Sequence, residues 1–352
     1  MKVGIIGFAR SGKTTIFNAL TGAHAAVGTF GARESNVAVL KVPDARVDKL
    51  AEFHKPKKIT YAEFQFIDIA PNEAAGEEKA LDTAALNALK QVEALVHVVR
   101  AFKNEDVMHP SGSVNAARDA KSMEEELQLG DLIIIERRLE RMEKEHKKGA
   151  EMAPLVRCKE HLESGKPLRT LDLSKQEQHD LMGFGFMSLK PVMLLGNYGE
   201  ESIGNDDASG LRAFAKANGL TLIEFCGALE VEISQLSPED RPAYRADLGL
   251  GEESRVQFLQ TAYDMLGLMS FLTAGEPEVR AWTIHKNTKA VDAAAVIHSD
   301  IARGFIRAEI VGYEHFIAAG TMVKAKEAGH VRLEGKEYIM QDGDIVLFRF
   351  NV

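Results

Sequence analysis

Gly7-Phe8-Ala9-Arg10-Ser11-Gly12-Lys13-Thr14 is the stretch that decides the fold. A glycine, four residues, then Gly-Lys-Thr is the spacing of a phosphate-binding loop. The flanks supply the context this chemistry needs. Val3-Gly4-Ile5-Ile6 reads as a short apolar strand, and Thr15-Ile16-Phe17-Asn18-Ala19-Leu20 as a helix with Ile16, Phe17 and Leu20 on one face. Gly7 and Gly12 let the backbone fold around phosphates, while the loop amides and the helix N-terminus aim positive charge at them. Lys13 reaches the β- and γ-phosphates as a point charge, and the Thr14 hydroxyl suits Mg2+. Ala9, Arg10, Ser11, Gly12, Lys13, Thr14 and Thr15 are therefore the expected nucleotide contacts.

Further along, residues 64–70 form a strand pattern ending in an acid, and Asp68 suits the second Mg2+ position of such a site. Residues 94–99, 191–196 and 221–225 are further apolar strands. Strands alternating with helices predict an α/β fold with a doubly wound, mostly parallel sheet. Its ligand would sit at the C-terminal ends of the strands. The long stretch before residue 191 is helical and charged. Residues 116–148 hold no proline, and Gly130 is their only glycine. Met123, Leu127, Ile134 and Leu139 fall at spacings that allow one helical face. A stop at Gly149 and a second helix from near Met152 to near Ser164 predict an inserted antiparallel helical hairpin. Arg137, Arg141, Lys144 and Lys148 form one basic stripe. It reads either as a solvated face, since Glu140, Glu143 and Glu145 lie alongside, or as a dock for RNA phosphates.

From residue 276 the character changes. Strand-like pieces at 279–284, 306–311, 337–340 and 345–350, with a turn at Gln341-Asp342-Gly343-Asp344, predict a small mixed α/β module. Composition bounds the function. With 45% hydrophobic and 27% charged residues the chain has ample core material, and a net charge of −9 excludes a whole surface that binds nucleic acid by charge. Cys158 and Cys226 are too far apart for a disulfide framework or a zinc spacing. No apolar run approaches the ~18 residues of a membrane span. The N-terminus enters a strand at once, without a signal-peptide core. The expectation is a cytoplasmic protein with no membrane partner.

Taken together, these segments resemble the YchF/Obg-like ATPase family, in the Obg group of translation-factor-type P-loop NTPases, over the whole chain. The most specific stretches are residues 298–309, 333–338 and 342–352, which look like the family's TGS domain, a ubiquitin-like β-grasp module. His97-Val98-Val99-Arg100 and Val42-Pro43-Asp44 also fit. The resemblance implies a nucleotide domain at 1–115 and 186–275, a helical hairpin at 116–185 and a TGS domain at 276–352. It bears on base choice as well. GTPases of this class carry Asn-Lys-x-Asp after the fourth strand, where the aspartate accepts hydrogen bonds from guanine. Here Asn197-Tyr198-Gly199-Glu200 lacks both the lysine and the aspartate, the form that accompanies ATP preference in the family. Asn197, Tyr198 and Glu200, with Cys226, Gly227 and Ala228, are the base-site residues it implies. The family's catalytic histidine falls on His109.

Three departures stand out. The switch threonine that coordinates Mg2+ in the family falls on Ala32, and the second switch reads Asp68-Ile69-Ala70-Pro71, where proline has no N–H for a γ-phosphate. The phosphate loop carries Arg10-Ser11 where the family has Asn-Val, so Arg10 is a candidate cis arginine for transition-state charge. The leading expectation is a monomeric, Mg2+-dependent slow ATPase switch tied to the ribosome or its RNA through hairpin and TGS domain. The alternatives are a nucleotide-binding module with little or no hydrolysis, an ordinary GTPase, and an RNA-binding scaffold with a vestigial nucleotide site.

Overall fold

The computed structural model describes residues 1–22, 36–69, 83–146, 149–202, 209–237, 239–248 and 254–351. The elements run β1 (Lys2–Ile6), α1 (Lys13–Thr21), β2 (Asn36–Val42), α2 (Ala45–His54), β3 (Ile59–Thr60), β4 (Ala62–Asp68), α3 (Thr83–Lys90) and β5 (Ala94–Ala101). Then come α4 (Ala116–Lys144), α5 (Met152–Glu163), α6 (Lys175–Leu181), β6 (Val192–Tyr198), α7 (Leu211–Ala217), β7 (Thr221–Phe225), α8 (Gly227–Gln235) and α9 (Arg241–Asp247). The chain continues through α10 (Ser254–Met265), β8 (Leu268–Ala274), β9 (Val279–His285), α11 (Ala290–Ile297), α12 (Ser299–Arg303) and β10 (Phe305–Gly312). It closes with α13 (Tyr313–Ala319), α14 (Met322–Glu327), β11 (Arg332–Glu334) and β12 (Asp344–Phe350). Two compact units result: Met1–Val39 with Gln65–Arg255, and Leu40–Phe64 with Val256–Val352.

The first unit is built on a sheet of order β2-β4-β1-β5-β6-β7. β1 lies between β4 and β5, parallel to both. β5, β6 and β7 are also mutually parallel. This is the expected doubly wound arrangement, and β5 is buried from Ala94 to Arg100, as a central parallel strand must be. Register aligns Ile5 with Asp68 on one side and Ile6 with His97 on the other, so both side chains flank the end of β1 where the phosphate loop begins. Phe17 of α1 stacks on Phe66 of β4 at 5.8 Å between ring centroids, which seats the helix on the sheet.

The inserted hairpin follows the sequence pattern closely. α4 has 29 residues and so is about 43 Å long. Asn115 caps it by accepting from the Arg118 amide at 3.0 Å. Ile135, Met142, Leu155, Cys158 and Leu162 form the α4–α5 seam, joined by Leu168, Leu173, Leu181 and Phe186 from the returning chain. Asp131 clasps that return. It is fully buried and accepts from the Met187 amide (2.9 Å), the Ser188 amide (2.7 Å) and the Ser188 hydroxyl (2.7 Å). Burial outweighs these donors and pushes its pKa up to about 6.

The second unit has a sheet of order β11-β10-β12-β8-β9-β3. β8 and β9 form one antiparallel hairpin, β10 and β11 pair antiparallel, and β12 lies between β10 and β8, parallel to β8. That order is a β-grasp. α11 covers one face through Ala290, Ala293 and Ala294 in the cluster that holds Phe271, Ile310 and Phe348, and α12 adds Ile301 and Ala302.

Two sequence expectations meet a different arrangement. Residues 337–340 form no strand. Ile339 makes an isolated bridge with Lys289, and the Ala290 and Met340 amides bond to Tyr338 and Thr288, so the segment spends its backbone groups on the entry to α11. The three-residue β11 upstream takes the edge position instead. The division at 275/276 also shifts, because β8 pairs with β9 and β12 in the second sheet. Leu40–Phe64 likewise joins that unit, where α2 buries Val47 and Leu50 and β3 pairs with β9.

Candidate nucleotide site

The phosphate loop connects β1 to α1 and has the backbone that its glycines permit. Gly7 and Gly12 have φ of 149° and 93°. A Cβ on Gly7 would lie 2.4 Å from the Val98 carbonyl oxygen, and one on Gly12 2.2 Å from Asn197 Nδ2. Neither site admits a side chain. Arg10 adopts a left-handed φ of 63° without being glycine. Lys13 folds back over the loop, donating to the Gly7 and Phe8 carbonyls at 2.7 Å each. These neutral acceptors occupy the ammonium that an anionic phosphate would claim. Ser11 Oγ is buried and has no hydrogen-bond partner, the signature of a group that expects a ligand or water.

Thr14 Oγ1 donates to Asp68 Oδ2 at 3.2 Å, so the two oxygens proposed for Mg2+ adjoin. Burial raises the Asp68 pKa, while Lys13 and hydrogen bonds from Asn36 and Thr14 oppose the shift. Among the described residues no group of three or more His, Cys, Asp or Glu could hold a metal. A Thr–Asp pair nevertheless suits Mg2+, which keeps several waters and takes its other oxygens from phosphates.

Asn197 ties the loop to the opposite wall. Its Nδ2 donates to Ser11 O at 3.0 Å, and its Oδ1 accepts from the Gly227 amide at 3.1 Å. A Cβ on Gly227 would meet Asn197 Oδ1 at 3.2 Å and Thr15 Cγ2 at 3.4 Å, so Thr15, Asn197 and Gly227 converge. Cys226 is buried at the start of α8; burial mainly raises its thiol pKa, and the Glu200 charge adds to that. Glu200 and Ala228 are exposed. Tyr198 is buried instead, its ring over Gly196 and its hydroxyl 3.4 Å from Ser209 Oγ. Ala9 is half-buried in the loop.

The two candidate catalytic side chains are engaged elsewhere. Arg10 Nη1 donates to the Met108 carbonyl at 3.2 Å. His109 is 8% exposed, Nδ1 accepts from the Ser111 amide at 3.1 Å, and Nε2 lies 2.9 Å from Asp119 Oδ2. Burial lowers its pKa, while Asp119 opposes the shift. Ala32 and Pro71 lie outside the described residues, as does Lys148.

Sequence reasoning assigned no role to His97, Arg100, Asp119 or Asp131. His97 is buried beside the loop with neither ring nitrogen partnered. The only prior signal was polarity inside an apolar run: a histidine and an arginine in a buried strand need a reason. A cavity of about 720 Å³ in the second unit, lined by Pro43, Tyr263 and Met340 among others, is not a rival phosphate site. Its cations are already matched, Arg46 to Asp44 and Asp342, and Lys286 to Asp264.

A glycine-bounded loop, a Lys-Thr pair facing an acidic strand end and an asparagine bridge from that loop to the start of α8 define a P-loop nucleotide-binding protein. Comparison with known proteins narrows the class. A family profile described as 50S ribosome-binding GTPase matches residues 2–138, and one for the C-terminal region of YchF GTPases, described as of unknown function, matches residues 268–351. The ribosome-binding ATPase YchF of Bacillus subtilis (strain 168) is 40% identical and aligns over 100% of each chain. Its namesake from Escherichia coli O157:H7 is 39% identical over 100% of this chain and 99% of its own. The structure of the Schizosaccharomyces pombe YchF GTPase superposes with a TM-score of 0.87 at 30% identity, covering 99% of this chain and 97% of that one. The chain belongs to the YchF family.

Proposed function

We propose that this protein is a slow, Mg2+-dependent ATPase that works as a ribosome-associated switch. The observation that carries the ATP reading is the base-site wall. Asn197 keeps its bridging role, whereas the positions that would hold lysine and aspartate in a guanine site carry buried Tyr198 and exposed Glu200. Glu200 carries its acceptor oxygens one methylene further out than an aspartate would, and a site whose acceptors are mis-set for guanine N1 and N2 discriminates strongly. The names of the curated relatives, ribosome-binding ATPase, support the same reading.

The residues have definable tasks. Thr14 and Asp68 would hold Mg2+, which supplies charge neutralisation between the phosphates when bound. Lys13 exchanges the Gly7 and Phe8 carbonyls for phosphate oxygens. Arg10 stabilises charge developing on the transferred group, and His109 orients the attacking water after leaving its present partners. Exposed Arg137 and Lys144 have no carboxylate partner among the described residues and offer an RNA-facing edge, whereas Arg141 is paired with Glu145 at 2.8 Å. We place the protein in the cytoplasm as a monomer, with the hairpin and the β-grasp unit presenting the ribosome contacts.

A non-hydrolysing nucleotide-binding module is the second reading. The burial of His109, with Nδ1 bonded to the Ser111 amide and Nε2 packed against Asp119, favours it. Competition of ATP and GTP for the purified protein, with single-turnover phosphate release in Mg2+, tests both. ATP should bind more tightly and be hydrolysed; GTP binding at least tenfold more tightly overturns the base assignment, and tight ATP binding without phosphate release leaves the module.

A further inference from the structure

The loop from residue 102 to 113 is held from three directions. Arg100, itself 2% exposed, donates to the carbonyls of Phe102 (3.2 Å), Asn104 (3.3 Å) and Val107 (2.8 Å). Arg10 reaches across from the phosphate loop to the Met108 carbonyl. On the far side of His109, Arg118 grips Ser113 through its carbonyl (2.7 Å) and hydroxyl (3.1 Å). The same guanidinium donates to Asp119 Oδ1 at 2.7 and 2.9 Å, which fixes that carboxylate and leaves Oδ2 facing His109 Nε2. The His109 and Asp119 side chains are 4% and 5% exposed.

This arrangement sets the tautomer. Nδ1 accepts a hydrogen bond from the Ser111 amide, so the ring proton sits on Nε2, which lies 2.9 Å from Asp119 Oδ2 as a close polar contact without the alignment of a hydrogen bond. No lone pair remains for a water. The histidine is stored, not poised. We propose that Asp119 is the positioning residue that keeps His109 out of the reaction, and that Arg10 couples its release to the arrival of a nucleoside triphosphate. The proposal rests on the reading of His109 as the water-orienting residue. The coupling follows from acceptor strength. Arg10 now bonds one neutral, solvent-exposed carbonyl, and a phosphate anion received by the Gly12 and Lys13 amides, two and three residues along the chain from Arg10, would be the stronger acceptor. A ligand shifts a loop only by binding its two states differently. Here the difference is a guanidinium that cannot serve Met108 and phosphate together.

The test combines turnover with hydrogen exchange on the full chain. Asp119→Asn should raise kcat for ATP at least threefold with KM unchanged and speed exchange in residues 104–113. In the His109→Ala background the same substitution should leave kcat unchanged. A non-hydrolysable ATP analogue should speed exchange of that segment in the wild type and not in Arg10→Ala, whose segment is already fast. Melting curves check that each variant folds, and the wild-type exchange arm needs no substitution. A fall in kcat for Asp119→Asn that matches His109→Ala overturns storage, because Asp119 would then orient a working histidine. Exchange at residues 104–113 that ignores the analogue overturns the Arg10 coupling. If His109→Ala alone leaves turnover intact, the catalytic reading of His109 fails, and with it the claim that Asp119 controls the reaction. The exchange arms identify that failure separately, because they do not depend on hydrolysis.

Discussion

Acidification should weaken the first unit through one side chain, His97. The ring is 1% exposed in β5, and neither nitrogen has a hydrogen-bond partner. Burial, with the Lys13 charge second, pushes its pKa down to about 3. An unfolded histidine titrates near ~6.5. Between these values the unfolded chain binds a proton that the native protein refuses. Stability is therefore full above the unfolded pKa and is lost as pH falls from there towards the folded one. From pH 7.5 to pH 5 the loss is roughly 2 kcal/mol. Asp131 acts in the opposite sense, since its folded pKa of about 6 lets the native carboxyl take up a proton first. That offsets roughly 1 kcal/mol over the same interval, so the measurement has to be differential. Urea unfolding at the two pH values, followed by far-UV circular dichroism, would compare wild type with His97→Leu. Trp282, the only tryptophan, lies in β9, so its fluorescence reports the second unit separately. The variant should be about 2 kcal/mol less sensitive to the pH change. Equal sensitivity in the two proteins would refute a buried, neutral imidazole at position 97.

Two further substitutions probe polar clasps. Asn197→Ala strands the Ser11 carbonyl and the Gly227 amide, at about 1–3 kcal/mol for each group left unsatisfied. Calorimetry should find ATP affinity lowered at least tenfold, and an unchanged affinity would mean that the bridge does not shape the loop. Asp131→Ala removes the acceptor of three bonds to Met187 and Ser188 and should cost about 3 kcal/mol in urea unfolding. A cost below about 1 kcal/mol would show that the hairpin's apolar seam holds the return without it.

The legible parts of this chain were those with strong local patterns. The loop at 7–14 names itself, because phosphate binding demands glycines where a Cβ would collide with Val98 and Asn197. α4 and α5 were visible from the absence of proline and a stop near Gly149, and β7 from its apolar run. β2, β3, β8 and β11 were not picked out. β2 alternates weakly and exposes Val37 and Val39, and β3 has only two residues. Residues 337–340 carry strand-like side chains whose backbone groups answer to α11, a pairing that no local window contains. At the site, individual residues were readable and their mutual engagement was not. The sequence marks His109 and Arg10 as candidates, but only the folded chain brings Met108 to one and Asp119 to the other.

The second unit's split origin has a consequence for the newborn chain. Its first segment, Leu40–Phe64, is made nearly two hundred residues before the rest, which starts at Val256. At about 5–20 residues per second, synthesis separates them by roughly ten to forty seconds. Throughout that wait α2 exists without β8 and β9, the strands it packs on, and Val47 and Leu50 have nothing to bury them. The emerging polypeptide must carry an amphipathic helix past the tunnel exit with its oily side uncovered. A nascent chain stalled before residue 268 should therefore be a better client for holdase chaperones than the finished protein, and proteolysis of such a stalled chain should start between residues 40 and 64.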